Sequence, residues 1–112
     1  MADNSTLAGK TAIVTGASSG IGAATAVACG REGMRVALAA RRKERLERVA
    51  EDVRAVGGEV RVVPTDVREE AAVQALVDGT VAAWGRLDVL VNNAGIGVLA
   101  PTDATSAAEF DT

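Results

Sequence analysis

Thr15-Gly16-Ala17-Ser18-Ser19-Gly20-Ile21-Gly22 follows directly on the β-branched run Thr11-Ala12-Ile13-Val14 and leads straight into an alanine-rich helical segment. A strand that turns through glycines into a helix presents backbone N–H groups at the positive end of the helix dipole. That geometry suits a phosphate or pyrophosphate. The glycines at 16, 20 and 22 are spaced differently from the G-x-G-x-x-G of the commonest dinucleotide fold, but the physical task is the same. Gly16 allows a sharp turn, Gly20 lets backbone approach a ligand, and Gly22 lets the helix pack close to the strand. Any tight βα connection also favours glycine, so the weight of this stretch depends on its surroundings.

Outward from it, strand and helix patterns alternate. The first strand spans about Lys10 to Thr15, and the first helix Gly20 to Glu32 with Gly33 as its stop. A second strand runs from Arg35 to Ala40. The second helix, about Arg42 to Val56, puts Leu46, Val49, Ala50, Val53 and Val56 on one face, and Gly57-Gly58 ends it. The third strand is Glu59 to Val63. The third helix, about Arg68 to Trp84, turns Val73, Leu76, Val77, Val81 and Trp84 inward and places Glu69 and Glu70 at its dipole-favoured start. Gly79 inside it costs roughly 1 kcal/mol of helix propensity. Val89 to Asn92 forms a fourth strand, and Thr105-Ser106-Ala107-Ala108-Glu109 reads as the capped first turn of a fourth helix.

Strands separated by single helices imply parallel pairing and right-handed crossovers. The expected fold is α/β: a Rossmann-type three-layer α/β/α arrangement with parallel sheet order 3-2-1-4, an incomplete doubly wound sheet. Val89-Leu90-Val91 is continuously apolar, as for a strand buried on both faces. Nothing after it reads as a strand to cover its outer edge, and a bare apolar edge invites aggregation. The expectation is that residues 1–112 are the N-terminal portion of a single dinucleotide-binding domain, cut within its fourth helix.

Composition narrows the function classes. At 112 residues the chain holds one domain at most, and with 48% apolar but only 2% aromatic residues its core is built from Ala, Val, Leu and Ile. A net charge of −3 and no basic stripe argue against nucleic acid. Cys29 is the only cysteine, Met1 to Thr6 lack the regions of a signal peptide, and no apolar run reaches membrane-spanning length. The chain therefore reads as cytoplasmic. It has no histidine and no tyrosine, and its only lysines are Lys10 and Lys43. Gly9-Lys10-Thr11 imitates the end of a P-loop, but Asn4 stands where that motif needs glycine and a strand follows instead of a helix. Cys29 reads as a small packing residue, and Trp84 as core or an edge cover.

Leu7-Ala8-Gly9-Lys10-Thr11-Ala12-Ile13-Val14-Thr15-Gly16-Ala17-Ser18-Ser19-Gly20-Ile21-Gly22, Asp66-Val67 and Asn92-Asn93-Ala94-Gly95 fall in order, each motif at the C-terminal end of an expected strand. Together they resemble the short-chain dehydrogenase/reductase family over nearly the whole chain. The resemblance implies that backbone around Gly16, Ser18, Ser19, Gly20, Ile21 and Gly22 cradles a cofactor pyrophosphate and neighbouring ribose. It implies that Asp66 accepts from the adenine amino group with the Val67 backbone nearby, and that Asn93, Ala94 and Gly95 line the cofactor cleft while Thr15 ties that loop to the first strand. Asp66 also suits a helix N-cap, a role that can coexist with cofactor contact. Asn92 and Asn93 also suit an ordinary turn.

An NAD-binding site of this architecture carries an acid at the end of the second strand for the ribose 2′-OH. Here the end reads Leu38-Ala39-Ala40-Arg41-Arg42-Lys43, with Ala40 in the acid's place. A guanidinium binds a 2′-phosphate bidentately. The expected cofactor is NADP(H) rather than NAD(H), with Arg41 as main contact and Arg42 as accessory; a solvated basic start to a charge-rich helix also explains the arginines but leaves the missing acid unexplained. The resemblance further implies hydride transfer on a carbonyl or alcohol substrate, a catalytic tyrosine, lysine and serine, and a homo-oligomeric whole protein. With no tyrosine here, no catalytic and no metal-binding residue is assigned within the chain. Two readings stand: part of a dehydrogenase whose catalytic residues lie downstream, or a non-catalytic dinucleotide-binding or interaction module. The bare strand edge favours the first.

Overall fold

A computed structural model describes residues 7–93 and 97–98. Five strands and three helices follow in the order β1 (Thr11–Thr15), α1 (Gly20–Arg31), β2 (Arg35–Ala40), α2 (Lys43–Ala55), β3 (Glu59–Pro64), α3 (Glu70–Trp84), β4 (Val89–Asn92) and β5 (Gly97–Val98). The sheet order is β3-β2-β1-β4-β5, with the first four strands parallel and β5 antiparallel to β4. The parallel 3-2-1-4 order is thus present. Ala94, Gly95 and the expected helix turn at 105–109 lie outside the described residues.

Side chains alternate across the sheet with the period of two that a strand imposes. Ala12 and Val14 of β1 and Val36 and Leu38 of β2 point to one face. There they pack with Ala26 of α1 and with Leu46, Val49, Ala50 and Val53 of α2. Ile13, Ala37 and Ala39 point to the other face and meet Leu76 and Val77 of α3 together with Leu87 and Leu90. Sheet and helices thus form three layers with a core on each side. The apolar stripe of α2 falls where its 3.6-residue spacing puts it.

Three expectations need correcting. The outer edge of β4 is not bare: Val91 pairs with Val98 and Asn92 with Gly97. An antiparallel partner needs only a short connection, whereas a parallel one needs a crossover of about a dozen residues, so a two-residue return strand escapes any pattern search. Nor is β4 buried on both faces. Leu90 is buried, but Val89 and Val91 are half-buried. At the start of α3 the chain spends Asp66 to Glu69 in a turn closed by Glu69 N–H donating to the Asp66 carbonyl at 3.0 Å. The helix therefore begins at Glu70 and not at Arg68.

Candidate functional site: a crevice at the carboxyl edge of the sheet

Strand register decides which residues meet at the C-terminal edge. Thr15 stands between Ala39 and Asn92, and Ala40 stands beside Pro64. The segments leaving these positions carry the glycine turn, Arg41, Asp66 and Asn93. A cleft of about 330 Å³ opens there, lined by Gly16 from the first turn, Ala40 and Arg41 from the end of β2, and Thr65, Asp66, Val67 and Arg68 from the segment after β3.

The glycine turn is built as its sequence requires. Gly16 has φ +63°, a left-handed conformation, and a Cβ there would lie 3.2 Å from the Asn93 Cβ. A Cβ on Gly22 would collide with the Gly16 carbonyl oxygen and sit 2.8 Å from its carbon, so α1 can approach β1 only through glycine. Gly20 differs: apart from its own helix and chain neighbours, nothing among the described residues lies within 4 Å of the position its Cβ would take. Bare backbone there leaves room for a ligand to come close. Ser19 does not cap the helix with its side chain, and its hydroxyl donates to the Gly16 carbonyl at 2.9 Å. Ala23 N–H donates to the Ser19 carbonyl at 2.7 Å, so the N–H groups of Gly20, Ile21 and Gly22 form the uncapped first turn that an anion can occupy. Ile21 is 77% exposed beside them. Ser18 is half-buried in the turn.

Across from this turn, β4 is stitched to β1. The Thr15 hydroxyl donates to Asn92 Oδ1 at 3.0 Å, and Asn93 Nδ2 donates to the Thr15 carbonyl at 2.8 Å. Both asparagines therefore bond across the sheet edge to β1. Thr15 thus links the end of β4 to β1.

Asp66 does not cap α3, whose N-cap is Glu69. Its Oδ1 accepts the Arg68 backbone N–H and Nε, each at 3.0 Å, and its Oδ2 accepts Arg68 Nη2 at 2.9 Å. These bonds, chiefly those from the guanidinium, hold the carboxyl down to about 2, with Arg41 adding a smaller pull. Arg41 itself is exposed and makes no hydrogen bond or ion pair among the described residues. Arg42 does not line the cleft and serves as the N-cap residue of α2. Thr65, 5% exposed, donates its N–H to the Ala40 carbonyl at 2.7 Å and so joins the two walls of the cleft.

Thr65 and Arg68 escaped the sequence reading. For Arg68 a signal existed, since a residue two places after an aspartate is where an Asx turn closes. Burial pushes the Cys29 thiol up, which fits a packing role for it. Trp84 lies at the opposite edge of the sheet, its indole N–H donating to the carboxylate of Glu59, the first residue of β3, at 3.0 Å. It packs, partly buried, against the core on the α3 side and does not line the cleft.

An open parallel sheet of Rossmann type, with a glycine turn at the mouth of its first crossover and a crevice beyond the strand ends, defines a class of ligand-binding α/β proteins. The family model for short chain dehydrogenase matches residues 10–112. The D-threitol dehydrogenase of Mycolicibacterium smegmatis is 43% identical over 105 residues, covering 94% of this chain and 40% of that protein. A metagenomic short-chain oxidoreductase solved in complex with NADP superposes with a TM-score of 0.75 at 49% identity, over 80% of this chain and 41% of the other. NAD+-bound xylitol dehydrogenase gives a TM-score of 0.74 at 40% identity, over 77% and 33% of the two chains. The chain belongs to the short-chain dehydrogenase/reductase family, and it spans less than half the length of these relatives.

Proposed function

We propose that this chain is the N-terminal, NADP(H)-binding part of a short-chain dehydrogenase/reductase whose whole protein transfers a hydride between NADP(H) and a small carbonyl or alcohol substrate. Solved relatives carry either dinucleotide, so the choice is argued from this chain. The observation that carries it is the end of β2: Ala40 stands where a carboxylate would hold the 2′-OH of NAD, and Arg41 beside it, with no ion pair among the described residues, lines the cleft. A fixed carboxylate would repel a 2′-phosphate, whereas Arg41 attracts one.

In this reading the first-turn amides of Gly20, Ile21 and Gly22 bind the pyrophosphate, with Gly16, Ser18 and Ser19 shaping the turn. Asp66 accepts from the adenine amino group beside Val67, Arg41 binds the 2′-phosphate with Arg42 as accessory, and Asn93, Ala94 and Gly95 border the cofactor. The open space over Gly20 suits the pyrophosphate, and the cleft between Arg41 and Asp66 suits the adenosine end. When bound, the cofactor supplies the nicotinamide that gives or takes the hydride. This chain's residues bind and orient it. No tyrosine or histidine is present to move the accompanying proton, so the 112 residues by themselves turn over no carbonyl. The whole protein is cytoplasmic and homo-oligomeric, and takes a small molecule rather than nucleic acid. No helix among the described residues is long and apolar enough to cross a membrane.

The missing tyrosine and histidine also favour a second reading, a non-catalytic dinucleotide-binding or interaction module. A Tyr-x-x-x-Lys encoded beyond Thr112 decides for the enzyme. The cofactor choice is tested by calorimetry. NADPH binds the chain more tightly than NADH, and Arg41→Ala weakens NADPH about tenfold or more while leaving NADH unchanged. Equal affinities for the two in the unsubstituted chain overturn the assignment.

A further inference from the structure

We infer that Arg68 is a positioning residue of the cleft: it holds the Asp66 carboxylate so that one acceptor position, on Oδ2, is left for the adenine amino group. The inference rests on the cofactor reading above and concerns a residue to which that reading gives no role. A carboxylate oxygen accepts about two hydrogen bonds. Among the described residues Oδ1 already has both, from the Arg68 backbone N–H and Nε, while Oδ2 has one, from Nη2. The fork therefore fixes both the rotamer of Asp66 and which oxygen still accepts.

The pair is not built for stability. The Arg68 side chain is 74% exposed against 29% for Asp66, and exposed ion pairs stabilise little. Its geometry is nonetheless that of a planar fork reinforced by the backbone, which lysine cannot reproduce. The charges divide between the two arginines of the cleft. Asp66 neutralises Arg68 and, among the described residues, leaves the guanidinium of Arg41 unpaired for a 2′-phosphate. With Arg68 removed, Asp66 is free to change rotamer and to attract Arg41, so adenine loses a preorganised acceptor.

The test uses two reduced dinucleotide phosphates, NADPH and its hypoxanthine analogue, in which a carbonyl replaces the adenine amino donor. Binding of each is measured by calorimetry to the unsubstituted chain, Arg68→Ala and Arg68→Lys, with thermal midpoints alongside. The unsubstituted chain prefers NADPH by about tenfold. In both variants NADPH weakens by about that factor while the analogue changes little, so discrimination falls toward unity and the midpoints stay put. Equal weakening of both ligands, or no change in either, overturns the positioning role. Failure of the unsubstituted chain to bind either dinucleotide overturns the cofactor reading itself, a distinct result.

Discussion

Asp88 carries more of the fold than its place in a short charged loop suggests. Its carboxylate accepts the buried Thr11 N–H at 2.9 Å and two Arg86 nitrogens at 2.7 Å each, while its own N–H donates to the Thr11 carbonyl at 2.9 Å. This clasp ties the start of β1 to the entry of β4, at the edge opposite the cleft. The Arg86 guanidinium, aided by the Thr11 N–H, holds the Asp88 carboxyl below the usual carboxylate range. A carboxyl lowered on folding stabilises above the ordinary aspartate pKa, and that contribution is lost as pH falls through the lower folded value. Asp88→Ala leaves the Thr11 N–H buried and unpaired and costs about 1–3 kcal/mol in denaturant unfolding at neutral pH. The gap between the two proteins narrows as pH drops below about 4. A gap that stays constant with pH contradicts this account. Nothing in Arg86-Leu87-Asp88 announced the role, because its partner is 77 positions away. Asp66 and the glycines were legible, by contrast, since each sits in a local motif at a strand end.

Helices declared themselves through their apolar stripes, and α2 is the clearest, with Leu46, Val49, Ala50 and Val53 buried as the spacing requires. The interior glycine of α3 was legible only as a local cost. A Cβ on Gly79 would meet Arg61 Nη2 at 2.8 Å, because the arginine lies across α3 with its Nη1 donating to Thr80 Oγ1 at 3.1 Å. Arg61 comes from β3, the outermost strand on that side of the sheet. An inward-turned charge on an outer strand blunts its pairing with other chains. Gly79→Ala therefore behaves as a coupled change. In an Arg61→Ala background it stabilises by about 1 kcal/mol through helix propensity. With Arg61 present, most of that gain is offset as the guanidinium retreats from Thr80, a bond of about 1 kcal/mol. Equal effects in the two backgrounds, read from thermal or urea unfolding, exclude the contact. The strand β5 was invisible for a different reason: two residues carry no periodicity, and their pairing is set by β4.

At the scale of the whole molecule, four parallel strands in register bring their C-terminal ends to one line. Segments far apart in sequence then share a crevice. Alternation of strands and helices was enough to predict that convergence, since parallel pairing follows from single-helix crossovers. It was not enough to predict the contents of the crevice, because the Asp66–Arg68 fork and the Thr65–Ala40 bond depend on how the segment after β3 folds back. The same geometry separates the two ends of the sheet: the cleft at one, the Asp88 clasp and Trp84 at the other. The central claim is that the cleft end takes the phosphorylated dinucleotide. Backbone amide resonances followed by NMR during titration with NADPH test it most directly. Shifts are expected at Gly16 to Gly22, Arg41 and Asp66 to Arg68, with Trp84 and Asp88 unmoved. Shifts confined to the Trp84 and Asp88 end, or no shift at the glycine turn under saturating NADPH, would contradict it.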